Sequence, residues 1–497
     1  MTQPIKNAAE HIASLKDGRT VYLDGRKIDD VTTDPAFANS VRSAANLYDF
    51  QARPENVEMM TFESPKTGRR VNRAWQMPRT YDELVTRRKA LVAWAEQHGG
   101  FMGRSPDHLA SAVTGQLMGL EMFKAHDPKR AAAYWNYYEQ ARDEDRFLTY
   151  VIINPQVDRA KAASELAEDP MMKIVDEDSE GVTVRGAKML GTSSIMANDV
   201  FVAHLQPLRP TEVDYAISFS IPMGTKGLKV LSRKSYEQHA VSEFDNPLAS
   251  RYDENDALIY FDDVKVPWDL IFVHRDPDMC RRQFHDTPGH IYQNYQAQIR
   301  LSVKLKFLAG LAREICETIG TAKMPPVAEQ LGKLAAEAAM IETLVHGMEA
   351  KGSHHGDYFV PDRHAVYAAQ TMAQSLYPQF ITTIRELAGG ALIMLPSSAA
   401  DYEDEELSKL FSAVQISADG RSPLERVKLM KLAWDAVGSE FAGRHTQYEM
   451  FYAGAQFVTR GHSFRTYDWA AAQALVSTIS DRYDLKGSTS GVKHAAE

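Results

Sequence analysis

Between about residue 150 and residue 276 the chain carries five stretches that alternate apolar and polar residues. They are Gly181-Val182-Thr183-Val184-Arg185-Gly186, Asp199-Val200-Phe201-Val202-Ala203-His204, Tyr215-Ala216-Ile217-Ser218-Phe219-Ser220, Leu228-Lys229-Val230-Leu231 and Ala257-Leu258-Ile259-Tyr260-Phe261. A period of two places successive side chains on opposite faces of a strand. No helical pattern separates these stretches, so the crossovers that parallel strands need are missing. Strands in that arrangement predict an antiparallel barrel or sandwich, of which the barrel is the expectation.

Both flanks read as helix. In residues 1–149 a short hairpin comes first: Thr20-Val21-Tyr22-Leu23, an Asp24-Gly25 turn, then Arg26-Lys27-Ile28. Apolar residues then recur at helical spacing over Tyr81 to Gln97 and Pro106 to Lys124. The cluster Tyr134-Trp135-Asn136-Tyr137-Tyr138 falls on a further predicted helix and reads as core or interface. After 277, Ile299, Val303, Phe307, Leu311 and Ile315 form an apolar stripe that stops near Gly320. Pro326 to Gly352, Arg363 to Leu387 and Leu424 to Phe451 continue as long helices, and Lys486 to Gly491 looks loose. The expectation is a multi-domain α+β protein: a mainly helical unit over 1–149, a β-barrel over 150–276, and a helical bundle over 277–497 of a kind often shared between subunits.

Several function classes lose support. A net charge of −10 argues against nucleic acid or an anionic membrane as partner. No run of 18 apolar residues and no apolar leader are present, and two cysteines, Cys280 and Cys316, are too few for a disulfide framework. A reducing cytoplasm is the expected compartment. No G-x-G-x-x-G follows a strand, and no Walker A sequence occurs. Glu342 and His346 are one residue too far apart for a Glu-x-x-His pair, and His354-His355 reads as a solvated loop, so no metal site is expected.

One segment carries chemistry: Gly103-Arg104-Ser105-Pro106-Asp107-His108. Ser105 reads as a helix N-cap, Pro106 as the first helical residue and Asp107 as a first-turn acid. Arg104 before the cap and His108 one turn in make a corner suited to a phenolate or carboxylate. The same residues also open ordinary helices.

Further segments join it. They are Leu148-Thr149-Tyr150-Val151-Ile152-Ile153-Asn154-Pro155-Gln156-Val157-Asp158-Arg159, Leu190-Gly191-Thr192-Ser193-Ser194, Phe261-Asp262-Asp263-Val264-Lys265-Val266-Pro267-Trp268, Glu386-Leu387-Ala388-Gly389-Gly390 and Tyr448-Glu449-Met450-Phe451-Tyr452-Ala453-Gly454. In order and spacing they resemble the two-component, reduced-flavin-dependent aromatic hydroxylases, above all the oxygenase components of the 4-hydroxyphenylacetate 3-monooxygenase family. The resemblance implies an acyl-CoA-dehydrogenase-like fold that tetramerises. It also implies FAD arriving as diffusible FADH2 from a separate NAD(P)H-flavin reductase, which would explain the missing nicotinamide motif. The implied reaction is ortho-hydroxylation of a phenol by O2 through a flavin C4a-hydroperoxide, in a pocket closed to water.

The resemblance also assigns residues. Arg104 matches the substrate-binding arginine. His108 falls where several relatives carry tyrosine and Tyr150 where several carry histidine, an exchange that favours His108 as the base and hints at a ligand other than 4-hydroxyphenylacetate itself. Tyr150, Val151, Ile152, Gln156, Val157, Asp158 and Arg159 match flavin contacts, with Arg159 suited to the pyrophosphate. Thr192 and Ser193 match a hydroxyl-bearing loop near flavin N5, and Phe451, Tyr452, Ala453 and Gly454 the segment closing over the ring. Gly389-Gly390 would approach the cofactor, or else cap a helix; His290 and Tyr295 precede a helix used near the substrate. Two rivals stay open: an acyl-CoA-dehydrogenase-like flavoenzyme, which should carry a glutamate base and purify yellow, and a non-catalytic oligomeric binding protein. A dehydratase of the same fold would need three cysteines and a histidine for its iron–sulfur cluster, which Cys280 and Cys316 cannot supply.

Overall fold

The computed structural model describes residues 5–156, 170–205 and 207–483. Ten strands form two sheets at its centre. The larger has six strands in the order Arg26–Ile28, Thr20–Leu23, Leu228–Ser232, Ala257–Pro267, Gly181–Lys188, Lys173–Glu177. The smaller runs Ile271–His274, Ile217–Pro222, Asp199–Val202, Leu148–Val151. All five alternating stretches contribute strands, but the closed barrel is not found. Among the described residues no ladder joins the two sheets, which instead share one core. Val21, Val230, Ile259 and Val184 from one sheet meet Val200, Val202 and Phe219 from the other. Nor is the pairing wholly antiparallel. Thr20–Leu23 runs parallel to Leu228–Ser232, and Leu148–Val151 runs parallel to Asp199–Val202. Both parallel ladders join strands far apart in sequence, so intervening chain supplies the crossover.

The smaller sheet is buried on both sides. Val200 and Val202 face the larger sheet, whereas Phe201 alternates into the helical core beside Tyr134 and Phe272. Tyr134 stacks on Phe272 at 4.2 Å between ring centroids and 14° between planes, the core role expected of that aromatic cluster. This sheet therefore lies between the larger sheet and the helical layer, and its strand Leu148–Val151 carries Tyr150 to the boundary.

The long helices form where the apolar spacing placed them. Tyr81–Gln97 begins where the Thr80 hydroxyl accepts from the Glu83 backbone N–H. The stripe through Ile299 and Ile315 belongs to the 30-residue helix Gly289–Thr318, which stops before Gly320 at φ +79°. Pro325–Ala350 and Arg363–Ala388 pack against it. Two expected helices are each divided. Pro106–Leu117 ends before Gly119, and Leu120–His126 follows. Pro423–Val437 ends at Gly438, after which the Ser439 hydroxyl caps Glu440–Phe451 by accepting from the Ala442 N–H. His354 and His355 lie in a short hairpin, Ser353–His355 with Tyr358–Val360, rather than in an unstructured loop.

Candidate active site

Arg104 sits in the turn that feeds Pro106–Leu117, with Pro106 at the first helical position as expected. Ser105 occupies the N-cap position, but its hydroxyl donates to the Asp107 carboxylate and accepts no backbone N–H. An acid two residues on outcompetes the backbone as partner. Arg104 is 9% exposed, so its guanidinium does not face bulk solvent. It lies 5.2 Å from the Tyr150 ring centre, 5.0 Å from Tyr448 and 5.8 Å from Tyr452, and it donates to the Tyr448 hydroxyl at 2.7 Å. The structure thus brings together Arg104, Tyr150 and Tyr452, three residues separated widely in the sequence.

Three guanidinium groups surround the Tyr448 ring, those of Arg104, Arg300 at 5.4 Å and Arg444 at 5.1 Å. Two are neutralised. Arg444 binds Asp256 through Nε at 2.9 Å and Nη2 at 2.7 Å, and Glu254 through Nη1 at 3.0 Å. Arg300 binds Glu449 through both terminal nitrogens, and Lys304 adds a contact at 3.1 Å. Arg104 meets Glu254 only through its backbone N–H. Among the described residues no carboxylate pairs with its side chain. A buried cation without a counter-ion is costly, and an anionic ligand would offset that cost.

His108 is buried next to Tyr150, the two rings 5.8 Å apart and 26° from parallel. Its Nδ1 lies 2.7 Å from Gln296 Oε1 and its Nε2 3.1 Å from Gln293 Nε2. Burial, and then the Arg104 charge, hold its pKa well below the ordinary histidine value, so the ring is neutral near pH 7.

The loop after Gly181–Lys188 is held in an unusual backbone conformation. Leu190 and Ser193 are non-glycine residues at φ +65° and +66°. Such backbone is costly and persists where the surroundings impose it. The Ser193 N–H donates to Glu254 O at 2.8 Å, and Thr192 donates through Oγ1 to Asp256 at 2.6 Å. Thr149 ties this loop to the Tyr150 strand by donating to Thr192 O at 2.6 Å. The Ser193 and Ser194 hydroxyls are fully buried and have no hydrogen-bond partner among the described residues.

The other sequence assignments fall as follows. Val151 is buried, Ile152 half-buried and Gln156 exposed; Val157, Asp158 and Arg159 lie outside the described residues. Phe451 is exposed at the end of its helix, while Tyr452, Ala453 and Gly454 are half-buried. Gly454 takes φ +98°, and Gln374 holds the turn by donating to the Met450 and Gly454 carbonyls, each at 2.7 Å. Gly389 caps Arg363–Ala388 at φ +53°, with open space where a Cβ would stand. His290 pairs through Nδ1 with the Tyr367 hydroxyl at 3.0 Å, and Tyr295 donates to Glu349. Sequence reading missed Gln293 and Gln296. Their signal is a run of amides on a helix otherwise buried along that stretch, Gln293-Asn294-Gln296-Gln298.

The fold that carries this site, two packed sheets against a layer of long helices, is shared with a solved oxygenase. A crystal structure of the oxygenase component of 4-hydroxyphenylacetate 3-monooxygenase, complexed with FAD and 4-hydroxyphenylacetate, superimposes with a TM-score of 0.90 at 29% identity, covering 96% of this chain and 98% of that one. Family models for the N-terminal and C-terminal parts of 4-hydroxyphenylacetate 3-hydroxylase match residues 7–273 and 280–481. The 4-hydroxyphenylacetate 3-monooxygenase oxygenase component of Geobacillus sp. is 35% identical over 462 residues, 91% of this chain and 92% of that protein. The oxygenase component of 4-nitrophenol 2-monooxygenase from Rhodococcus sp. is 35% identical over 490 residues, 97% of this chain and 93% of its own. The chain belongs to the 4-hydroxyphenylacetate 3-hydroxylase family and is a monooxygenase by that membership.

Proposed function

We propose that the chain is the oxygenase component of a two-component monooxygenase that hydroxylates a phenol ortho to its hydroxyl, using O2 and FADH2 delivered by a separate NAD(P)H-dependent reductase. The observation that carries this reading is the unpaired, buried guanidinium of Arg104 among Tyr150, Tyr448 and Tyr452 in a chain of this family. Reduced FAD, when bound, supplies the electrons that activate dioxygen for transfer of one oxygen atom to the ring.

The protein's own residues do the rest. Arg104 holds the substrate oxygen as it gains negative charge, and does so best in a dry site where the attraction is least screened. Tyr150 flanks that oxygen as a phenol, and His108 stacks behind Tyr150 as a neutral imidazole; with Arg104 they make up the working set of the site. Tyr150, Val151, Ile152 and Gln156, continuing into Val157, Asp158 and Arg159, would line the flavin on one side. Thr192 and Ser193, on the loop tied to the Tyr150 strand by Thr149, would lie along its polar edge. Phe451, Tyr452, Ala453 and Gly454 would close the site from the bundle side.

The His108/Tyr150 exchange is the feature that favours a phenol other than 4-hydroxyphenylacetate as the preferred substrate; relatives named for 4-hydroxyphenylacetate and for 4-nitrophenol are equally similar, each at 35% identity. A homotetramer is also part of this reading. The helix Trp469–Ser480 buries none of its residues within one chain, leaving Leu475, Val476 and Ile479 at 71%, 67% and 58% exposure. So apolar a helix needs a covering surface, and further copies of the chain supply it.

The test mixes the protein anaerobically with FADH2 and a panel of phenols and aminobenzoates, then admits 18O2. A hydroxylated product carrying one labelled oxygen, formed only when the chain is present, is the expected result. No labelled product from any member of the panel would sink the proposal.

A further inference from the structure

Four buried side chains fix the state of one imidazole. The Asp107 carboxylate can only accept hydrogen bonds when ionised. Ser105 donates to one of its oxygens, and the Gln296 amide nitrogen lies 3.1 Å from the other. Gln296 turns its NH2 toward Asp107 and its carbonyl toward His108. A carbonyl 2.7 Å from Nδ1 requires the hydrogen on Nδ1. Nε2 is then a lone-pair acceptor, and the Gln293 NH2 meets it at 3.1 Å. Two independent amides thus agree on one neutral tautomer, and both reach His108 from the helix Gly289–Thr318.

With both nitrogens turned to that helix, the ring offers Tyr150 its face. Taking a proton on Nε2 would set an N–H against the Gln293 NH2, donor against donor. It would also add a positive charge beside Arg104, with Arg300 behind it, and the nearest acid, Asp107, already engaged by Ser105 and Gln296. Tyr150 is placed differently. It is half-buried, and Arg104 stands over its ring.

Resting on the oxygenase reading above, we propose that His108 is a positioning residue. Gln296 and Gln293 lock it as a neutral plate that holds Tyr150 against Arg104, and Tyr150 is the group that meets the substrate hydroxyl. Gln296, with its orientation set by Asp107, is the residue that specifies the tautomer.

Nitrogen-15 NMR of the full-length, ligand-free chain labelled at histidine tests this directly, with the His108 signals assigned by their loss in His108→Phe or His108→Asn. A single neutral Nδ1–H tautomer from pH 9 to pH 5, unchanged on adding 4-nitrophenol or 4-hydroxyphenylacetate, is expected. Titration within that range, or an imidazolium formed on adding either phenol, overturns the proposal. Kinetics give a second reading. His108→Phe keeps the plate but removes both nitrogens, so hydroxylation falls as Tyr150 loses its fixed support, while the acid limb of the pH–kcat profile stays in place. His108→Asn keeps the Nδ1-like donor but loses the plate, so KM rises. Disappearance of the acid limb in His108→Phe marks a proton acceptor and overturns the proposal. If the wild-type chain hydroxylates no phenol, the proposed function fails, yet the imidazole spectrum still decides this one.

Discussion

Gly103→Ala should disturb the site through one identifiable collision. A Cβ built on Gly103 would stand 2.6 Å from Tyr448 Cζ and Oη and 2.8 Å from Cε1. Ordinary carbon contacts begin near ~3.5 Å, so the ring must retreat by roughly 1 Å. It has little room. Tyr452 stacks on it at 5.4 Å and 20°, and three guanidinium groups crowd its faces. Gly103 is not among the glycines with positive φ, so alanine brings no backbone strain of its own. Overpacking of this kind costs about 1–3 kcal/mol. Stretching the Arg104–Tyr448 hydrogen bond from its 2.7 Å adds to that, because bonds to charged groups contribute about 1.5–3 kcal/mol. A total near 3 kcal/mol is expected. Urea unfolding of the wild type, Gly103→Ala, Tyr448→Ala and the double variant forms a complete cycle. With the ring gone, the methyl group should be nearly neutral, leaving a coupling of about 2 kcal/mol or more. Additive single-variant effects would show that Tyr448 is not what Gly103 accommodates.

Other outcomes follow from the same geometry. Burial pushes the Glu449 carboxyl up, but Arg300 and Lys304 hold it at about 2 against an ordinary 4.5. Stability from this depressed group is complete above its unfolded pKa and is lost as pH falls from about 4.5 to about 2, about 3 kcal/mol in all. Glu449→Gln should flatten that part of the acid-unfolding curve, and an unchanged slope would refute the assignment. Arg104→Ala should leave reduced-flavin oxidation running while diverting it to hydrogen peroxide, read as product per flavin oxidised; normal coupling would show that Arg104 does not hold the substrate. Removing Trp469–Ser480 should shift the sedimentation coefficient toward smaller species, whereas an unchanged coefficient would show that this helix is not the contact between copies.

How much of this was legible in the sequence depended on how local each signal was. Tyr81–Gln97 is legible to the residue because its apolar spacing lies within one segment, and the structure adds the Thr80 cap that spacing alone does not use. The break at Gly438-Ser439 was missed although a glycine followed by a capping serine is itself a local signal; the apolar pattern on either side outweighed it. The closed barrel failed for a different reason. Alternation tells which face of a strand is apolar, not which strand lies beside it, and nothing near Val21 indicates that Val230 is its neighbour. The site shows the same division. Arg104, His108 and Tyr150 lie in compact motifs, whereas Gln296 reaches His108 from 188 residues away as an amide with no chemistry of its own to advertise. Tyr448 stood inside a segment that was singled out, yet the resemblance drew the assignment to Phe451, one turn later and exposed.

The arrangement of charge explains why an acidic protein should hold such a site for an anion. Around the Tyr448 ring, Glu254, Asp256 and Glu449 form their ion pairs with Arg444, Arg300 and Lys304, not with the Arg104 side chain. Those ion pairs fix the ring and the strained Thr192–Ser193 loop, since Asp256 also takes the Thr192 hydroxyl. Among the described residues none of these carboxylates hydrogen-bonds the Arg104 guanidinium, which donates to the Tyr448 hydroxyl instead. Any of these acids turned toward Arg104 would remove the cost of its burial and, with it, the preference for an incoming oxyanion. Ligands should therefore raise the unfolding temperature in proportion to how readily they give up the phenolic proton, a linkage effect that grows as RT ln(1 + [L]/Kd). At equal concentration 4-nitrophenol should stabilise the wild-type chain more than its methyl ether, which has no anionic form. In Arg104→Ala that difference should vanish while the ion pairs behind it remain. A methyl ether that stabilised as well as the phenol would mean that the pocket selects rings and not charge.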